Sequence, residues 1–228
     1  MRRRHLLAAP LLALLSTVAA AQVAPRADEL ARYGALHAAA HRGDVPTLRR
    51  LLTAGADVNQ REAYGRTPLH VATYARQRGA IRVLAEARAD LGLLENDRYD
   101  AVTIAAVADD EESLRVLLAA GASAKLTTSR YDGTALIAAA HLGHDGVVRQ
   151  LIKAGAPLDH VNNLHWTALI ESIVLGDGGQ RHQAVLQALI DAGASTRLAD
   201  RQGRTPIELA RARGYTAMVR QLEAAGLR

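Results

Sequence analysis

The chain of 228 residues carries a formal net charge of +5 and contains neither cysteine nor phenylalanine. The absence of cysteine excludes disulfide bonds and thiolate chemistry. Arginine and lysine are scattered among acidic residues rather than gathered in a basic stripe, so the composition gives no support for nucleic-acid binding.

The first 21 residues have the layout of an export signal. A basic start, Arg2-Arg3-Arg4, precedes an apolar run from Leu6 to Val18 and the small residues Ala19-Ala20-Ala21. This run is shorter than the roughly 20 residues that a membrane-spanning helix needs. We therefore expect cleavage after Ala21, which lowers the formal charge from +5 to +2, and no membrane attachment afterwards. The basic start is compatible with both general secretory and twin-arginine export.

Residues 22–34 are a short lead-in, and after them one phrase recurs six times. Two examples are Leu36-His37-Ala38-Ala39-Ala40 and Thr67-Pro68-Leu69-His70-Val71-Ala72. One fixed place in this phrase defines the reference residue of each repeat: His37, His70, Thr103, Ile137, Ile170 and Glu208. The steps between them are 33, 33, 34, 33 and 38 residues by subtraction. A step of this size predicts stacked supersecondary units rather than one closed core.

Each repeat is predicted to contain two helices. Apolar and small side chains surround the reference residue, and a second apolar set with a spacing of three follows it, as on one face of a helix. An N-cap residue precedes the first helix at Thr67, Asp100, Thr134, Thr167 and Thr205. A glycine ends the second helix at Gly55, Gly121, Gly155, Gly193 and Gly226. The predicted repeats one to six span residues 35–61, 62–94, 95–128, 129–161, 162–199 and 200–228.

Three places depart from this pattern. Arg88 stands where repeat two should have its stop glycine, and Arg98 stands where repeat three should have the glycine of its turn. We therefore expect an irregular joint between these two repeats. Repeat five carries five extra residues within Gly176 to His182, which we expect to lengthen the turn between its helices, with a second contact site as the alternative.

These residues resemble the ankyrin repeat family. The phrase Thr67 to Ala72, the pair Gly143-His144 and the run Gly55 to Asn59 match its signature almost letter for letter. The resemblance implies an all-α solenoid of six helix-turn-helix units, with turn or hairpin fingers between them. It also implies a non-catalytic, monomeric module that binds a protein along a concave groove made by the fingers and the first helices. Together with the export signal, the chain is similar to small exported bacterial proteins of this family, which places it in the periplasm.

The aromatic residues favour such a groove. Six of the seven Tyr and Trp residues fall at finger or groove places relative to the reference residue: Tyr33, Tyr99 and Trp166 four before it, Tyr64 and Tyr131 six before it, and Tyr74 four after it. Tyrosine and tryptophan are the residues that dominate protein interfaces. Further predicted groove residues are His41, Arg66, Arg130, His141 and Arg204. The alternative is that the finger tyrosines only pack against neighbouring fingers.

Histidines and serines give no pattern for catalysis or metal binding. His37, His70 and His144 occupy places where the family uses histidine for structural hydrogen bonds. A zinc site needs three or four converging ligands, and no serine lies in a nucleophile elbow. We therefore expect no enzyme activity, no metal and no cofactor. Three functions stay open: a protein-binding module, a chaperone-like accessory factor for a periplasmic enzyme, and, least favoured, a metal-binding or hydrolytic protein.

Overall fold

The computed structural model describes residues 24–226. The lead-in contains a short helix, α1 (Ala27–Leu30), and each repeat contains two helices. The first helices are α2 (Ala35–Arg42), α4 (Pro68–Tyr74), α6 (Ala101–Val107), α8 (Ala135–Leu142), α10 (Ala168–Val174) and α12 (Pro206–Ala212). The second helices are α3 (Val45–Thr53), α5 (Arg78–Glu86), α7 (Glu111–Ala119), α9 (Asp145–Lys153), α11 (Gln180–Asp191) and α13 (Thr216–Gly226). The predicted signal peptide and its cleavage site lie outside the described residues.

The helices stack in two rows, so the predicted all-α solenoid is confirmed. Each first helix packs on the first helix of the next repeat, and each second helix does the same in its own row. The core lies between the rows. The place two residues after the reference residue carries only small side chains, all 1% exposed or less: Ala39, Ala72, Ala105, Ala139, Ser172 and Ala210. Small side chains let successive helices pack closely.

The N-caps of the first helices form as predicted. The side chain of Asp100 accepts a hydrogen bond from the Thr103 amide at 2.8 Å, and Thr67, Thr134 and Thr167 each accept from the amide three residues on. At Thr205, the amide and the hydroxyl both donate to the Glu208 carboxylate. These bonds satisfy amides that the first turn of a helix leaves without partners.

The expected irregular joint between repeats two and three is wrong. Arg88 and Arg98 adopt the left-handed backbone themselves, with φ of 63° and 67°. The turn of repeat three therefore keeps the geometry of the preceding one: the Glu95 amide donates to the Tyr99 carbonyl at 3.0 Å, as the Glu62 amide donates to the Arg66 carbonyl at 3.0 Å. The regular joint comes at a cost in backbone strain, because left-handed backbone is unfavourable for residues with a Cβ atom.

Repeat five accommodates its extra residues in two places. Its inter-helix turn, residues 175–179, is called the insertion loop below and is two residues longer than the three-residue turn of repeat two. Helix α11 has 12 residues, whereas α3, α5, α7 and α9 have 9. The prediction of a longer turn is therefore only part of the answer, because α11 also gains almost one helical turn.

The fingers are the turn-rich segments between repeats. In one of them, β1 (Thr127–Thr128) pairs antiparallel with β2 (Gly133–Thr134). Between residues 24 and 226, the helices are all too short or too polar to span a lipid bilayer.

Candidate functional site

Each finger is held by one acceptor side chain eight residues before the reference residue. In repeat two, Glu62 Oε1 accepts from the amides of Tyr64 and Arg66 at 2.9 and 3.0 Å. The same pair of bonds recurs at Glu95, Ser129, Asn162 and Asp200. We call these five residues the finger acceptors. The sequence signal is an oxygen-bearing side chain at one fixed place of the repeat, and the finger acceptors were not predicted from it.

Successive fingers are also joined by backbone hydrogen bonds. The amides of Asn96, Ser129 and Asn163 donate to carbonyls of the preceding finger at 2.9 to 3.0 Å. The fingers therefore form one continuous surface beside the first helices. This combined surface is called the groove.

At the N-terminal end of the groove, Arg66 is buried, and its prediction as a partner-binding residue of the groove is wrong. It is 4% exposed, and its Nη1 donates to Glu29 Oε2 of the lead-in at 2.7 Å. Its guanidinium carbon lies 4.8 Å from the centroid of the Tyr64 ring and 5.4 Å from that of Tyr74. Arg66 therefore belongs to the packed interior under α1 and is not exposed for a partner.

The charges of this buried pair stabilise each other. Burial raises the pKa of Glu29, but the hydrogen bond and positive charge of Arg66 have the larger, opposite effect, so its pKa is lowered overall.

Tyr33 packs against the core with its ring 5.6 Å from that of His37 and 6.4 Å from that of His41. Burial raises the pKa of Tyr74. For Tyr33 and Tyr74, these contacts favour the packing alternative over partner binding.

The histidines in signature places have the expected structural hydrogen bonds. The Nδ1 atom of His70 accepts from the Thr67 amide at 3.0 Å, and its Nε2 donates to the Leu93 carbonyl at 2.9 Å. Burial lowers the pKa of His70 to about 4, so its ring is neutral. His37 bonds the Arg66 carbonyl and His144 the Ala106 carbonyl, each joining neighbouring repeats.

Repeats four and five expose apolar side chains. The large hydrophobic residues that are 36% to 46% exposed are Tyr131, Leu142, Val161, Leu164, Leu175 and Leu198. All of them lie in these two repeats, and residues 24–128 and 200–226 contribute none. Exposed apolar residues that occur singly need no explanation, but a cluster indicates an interaction surface.

Four of these side chains occupy two equivalent places in repeats four and five. Tyr131 and Leu164 stand six residues before the reference residue on adjacent fingers, which the Asn163 amide joins by donating to the Tyr131 carbonyl at 3.0 Å. Leu142 and Leu175 stand five residues after it, at the ends of the neighbouring helices α8 and α10. These four residues are called the apolar cluster.

A buried acid lies on the groove side of the same repeats. Glu171 is 4% exposed, and its Oε1 accepts from Asn162 Nδ2 at 2.9 Å. Its Oε2 lies 3.7 Å from Nδ1 of His141. Burial raises the pKa of Glu171 to about 7, although the Asn162 bond lowers it. Burial, together with the charges of His182 and His144, lowers the pKa of His141.

His141 is among the predicted groove residues, whereas Glu171 was not predicted. The signal was present, because the place of Glu171 is occupied by an apolar residue in the other repeats: Ala38, Val71, Ile104, Ala138 and Leu209. A carboxylate among apolar residues is a candidate for a shifted pKa.

The remaining predicted groove residues are spread along the array. Tyr64, Tyr99, Trp166 and His41 are half-buried, with Trp166 packed against the core. Arg130 and Arg204 are exposed, and their guanidinium groups pair with Asp97 at 3.2 Å and Asp200 at 2.7 Å. Within residues 24–226, no three His, Asp or Glu side chains are grouped so that they could hold a metal ion.

Comparisons with known proteins agree with this geometry. A family model described as ankyrin repeats in three copies matches residues 12–95 and 102–200. The ankyrin repeat protein YahD of Escherichia coli K12 is 34% identical over 189 residues, which cover 82% of this chain and 94% of YahD.

Two solved structures are similar over most of their length. The crystal structure of an ankyrin repeat domain from Acinetobacter baumannii AYE has a TM-score of 0.80 and 41% identity, covering 84% of this chain and 97% of that domain. The ankyrin repeat protein EF0377 has a TM-score of 0.78 and 30% identity, covering 83% and 96%.

Proposed function

Because this chain belongs to the ankyrin repeat family, whose repeats are protein–protein interaction modules, we propose that it binds a protein partner through the groove of repeats four and five. The apolar cluster of Tyr131, Leu142, Leu164 and Leu175 carries this proposal. Water contact with these side chains is unfavourable, and a partner that covers them gains about 25 cal/mol for each Å² of apolar area removed from water. The activity that we assign is non-covalent binding, with no covalent bond made or broken.

The rigidity of the stack supports tight binding. Finger acceptors fix each finger, backbone bonds join the fingers of repeats two to five, and the Arg201 side chain joins the last finger by donating to the Asn163 carbonyl. A preorganised surface loses little conformational entropy when a partner binds, so more of the interaction energy appears as affinity. The half-buried Trp166, two residues after Leu164 on the same finger, adds an aromatic contact of the kind that is common at interface hot spots.

We propose that this binding takes place in the periplasm, after the signal peptide has been cleaved off behind Ala21. The basic start, apolar run and small residues of the first 21 positions support it. N-terminal sequencing of the protein from an envelope fraction tests the proposal: a mature N-terminus at Gln22 is the expected result, and an intact Met1 in the soluble cell interior contradicts it.

Affinity capture from an envelope extract tests the groove. The test variant combines Leu142→Ser with Leu175→Ser, and a second combines Tyr131→Ser with Leu164→Ser. These exposed substitutions change stability by only about 0.5 kcal/mol each. We expect both to lower partner recovery at least tenfold.

The matched control combines Ala75→Ser with Ala108→Ser, which lie at the same place in repeats two and three. It should retain full recovery. If both test variants recover every partner of the unsubstituted protein, the groove of repeats four and five is not the binding surface.

A further inference from the structure

Glu171 is a buried acid with one carboxyl oxygen that lacks a hydrogen-bond donor. Its Oε1 accepts from Asn162 Nδ2 at 2.9 Å, and its Oε2 receives no hydrogen bond within residues 24–226. The orientation of the Asn162 side chain is fixed, because its Oδ1 accepts from the amides of Leu164 and Trp166 at 3.0 Å each. Asn162 therefore serves one oxygen of Glu171 and leaves the other without a donor.

The other buried acids of the described structure have compensating groups. Three of them pair with an arginine at 2.7 Å: Glu29, Asp110 and Asp200. Two accept hydrogen bonds from backbone amides: Glu95 and Asp100. An ionised carboxylate that is taken out of water without such groups is costly. Glu171 differs from the other five in lacking both an arginine and a backbone amide, so a positive charge supplied from outside would stabilise it.

His141 does not supply that charge. Its Nδ1 lies 3.7 Å from Glu171 Oε2, which is beyond hydrogen-bond distance. Burial, followed by the charges of His182 and His144, lowers the pKa of His141, so its ring is neutral at pH 8. A neutral imidazole has one nitrogen that accepts a hydrogen bond. The groove can therefore present two acceptors 3.7 Å apart, the Glu171 oxygen and Nδ1 of His141.

Exposed apolar side chains stand next to both acceptors. Leu175, the first residue of the insertion loop, follows Glu171 by four residues, so the two lie about one helical turn apart on the same side of α10. Leu142 directly follows His141 at the end of α8. Leu142 is 40% exposed and Leu175 is 43% exposed. The side chain of His141 is 27% exposed, so the groove side of the pair is open to solvent.

An arginine side chain matches this combination. Its guanidinium group is always charged and donates from a planar fork of N–H groups, so it can bond two neighbouring acceptors at once. Its aliphatic stem packs on apolar surface while the charged head forms hydrogen bonds. A metal ion matches less well, because a stable site needs three or four converging ligands and residues 24–226 offer no such group.

We propose that Glu171 and His141 form a subsite of the groove that binds the guanidinium group of an arginine from the protein partner. The guanidinium donates to Glu171 Oε2 and to Nδ1 of His141, and the arginine stem lies on Leu142 and Leu175. This inference rests on the proposed function, since the arginine belongs to the partner. It adds the chemistry that the partner must present, which is an arginine with apolar residues beside it.

The subsite is tested on the free protein with N-propylguanidinium, which carries the arginine head and stem. At pH 8, a carboxyl group with a pKa of about 7 is ionised. NMR titration at constant ionic strength should give saturable shifts of the Glu171 carboxyl carbon and of the His141 ring nitrogens. N-propylurea has a similar shape and no charge, and it should give no saturable shift. Equal binding of the urea, or shifts that do not include Glu171, would overturn the proposal.

Glu171→Gln is the test variant, because it keeps an oxygen for the Asn162 bond and removes the charge. It should bind N-propylguanidinium roughly tenfold more weakly, since hydrogen bonds to charged acceptors are the stronger ones. Glu86→Gln makes the same change at an exposed ion pair with Arg49 and should bind like the unsubstituted protein. Equal affinity of Glu171→Gln and the unsubstituted protein would contradict the subsite. The comparison with the urea does not depend on the folding of any variant.

Partner capture separates this inference from the proposed function. Glu171→Gln should lower partner recovery from the envelope extract, and Glu86→Gln should not. If Glu171→Gln recovers every partner while the variant with Leu142→Ser and Leu175→Ser does not, groove binding stands and the arginine subsite is wrong. If N-propylguanidinium binds at Glu171 but both serine variants recover every partner, the subsite binds guanidinium and the proposed function of these repeats is wrong.

Discussion

At the residue scale, the six repeats differ in how much strain they contain. Arg98 has a left-handed backbone with φ of 67°, at the place where repeat two has Gly65 with φ of 71°. A residue with a Cβ atom loses roughly 1–2 kcal/mol in this conformation. The hydrogen bonds of the turn do not depend on the side chain, so the strain at Arg98 is not needed for the fold.

Arg98→Gly is therefore expected to stabilise the protein by about 0.5–1 kcal/mol. The lost ion pair of Arg98 with Asp132, at 3.3 Å and half exposed, offsets only a small part of the gain. Urea unfolding measures the difference. The reciprocal change, Gly65→Ala, should destabilise, because its Cβ would lie 2.4 Å from Asn96 Oδ1. Lower stability of Arg98→Gly would contradict the assignment of strain.

Glu171 gives a second residue-scale prediction, for the dependence of stability on pH. Its folded pKa of about 7 exceeds the ordinary value of 4.5, so the folded state binds more protons between these pH values. The free energy of unfolding therefore falls as pH rises through this window. Glu171→Gln removes the titration and should be more stable than the unsubstituted protein by about 3 kcal/mol at pH 8, with a much smaller difference at pH 4.5.

Thermal unfolding at both pH values checks this prediction. Glu86→Gln, at an exposed ion pair with Arg49, is the control and should give the same small difference at both. A constant difference for Glu171→Gln across the range would show that its carboxyl group titrates normally.

At the element scale, the finger acceptors explain how short irregular segments form one continuous surface. Each accepts from two backbone amides that would otherwise be left to water. Asp200 is buried and also pairs with Arg204. Because the fingers have little regular secondary structure, these side chains replace the ladder bonds that a longer strand pair would supply.

Asp200→Ala should therefore loosen the last finger and lower stability by about 1–3 kcal/mol. Hydrogen exchange should increase at Gln202 and Arg204, which lose their acceptor. Asp200→Asn keeps an oxygen at the Oδ1 position and should protect both amides while losing only the ion pair. Equal exchange in the two variants would mean that the charge, rather than the acceptor, orders the finger.

At the scale of the whole molecule, the groove is covered at its N-terminal end and exposes apolar side chains in repeats four and five. The lead-in covers the first finger through the Glu29–Arg66 pair, whereas the side chains of the apolar cluster in repeats four and five are exposed to solvent. Each repeat packs only on its neighbours, so stability is a sum of repeat and interface terms. A destabilising substitution in a middle repeat should therefore affect more of the molecule than one in the last repeat.

Leu136→Ala in α8 and Leu222→Ala in α13 test this difference. Both side chains are buried, at 0% and 4% exposed, and a buried Leu→Ala change costs about 2–5 kcal/mol. Leu222→Ala should raise hydrogen exchange in repeat six alone. Leu136→Ala should raise it in repeats three to five and split the unfolding transition. Uniform exchange in both variants would indicate one cooperative unit.

The fold could be predicted from sequence because its signals are local. The recurring phrase, the N-caps and the glycine stops each act within a single repeat, and identical units leave one way to bury their apolar sides. The joint at Arg88 and Arg98 was mispredicted because the prediction used only these local signals. A missing glycine indicated a different turn, but packing of the neighbouring repeats imposed the usual turn on arginine.

The candidate site could be predicted only in part. Tyr131 and Trp166 were found from their places, but Leu142, Leu175 and Glu171 were not, because leucine and glutamate in a helix have many explanations. Their significance depends on exposure and burial, which a residue's place in the repeat does not determine.

The sequence by itself determined that paired helices stack every 33 residues or so, because periodicity, caps and stops are short-range. Only the tertiary structure decided which groove residues are accessible. Arg66 and Arg204 stand at the same place in their repeats, yet the side chain of Arg66 is 5% exposed and that of Arg204 is 54% exposed. The physical reason is that solvent access and protonation depend on what packs from outside the repeat: the lead-in carboxylate of Glu29 covers Arg66, and neighbouring helices bury Glu171.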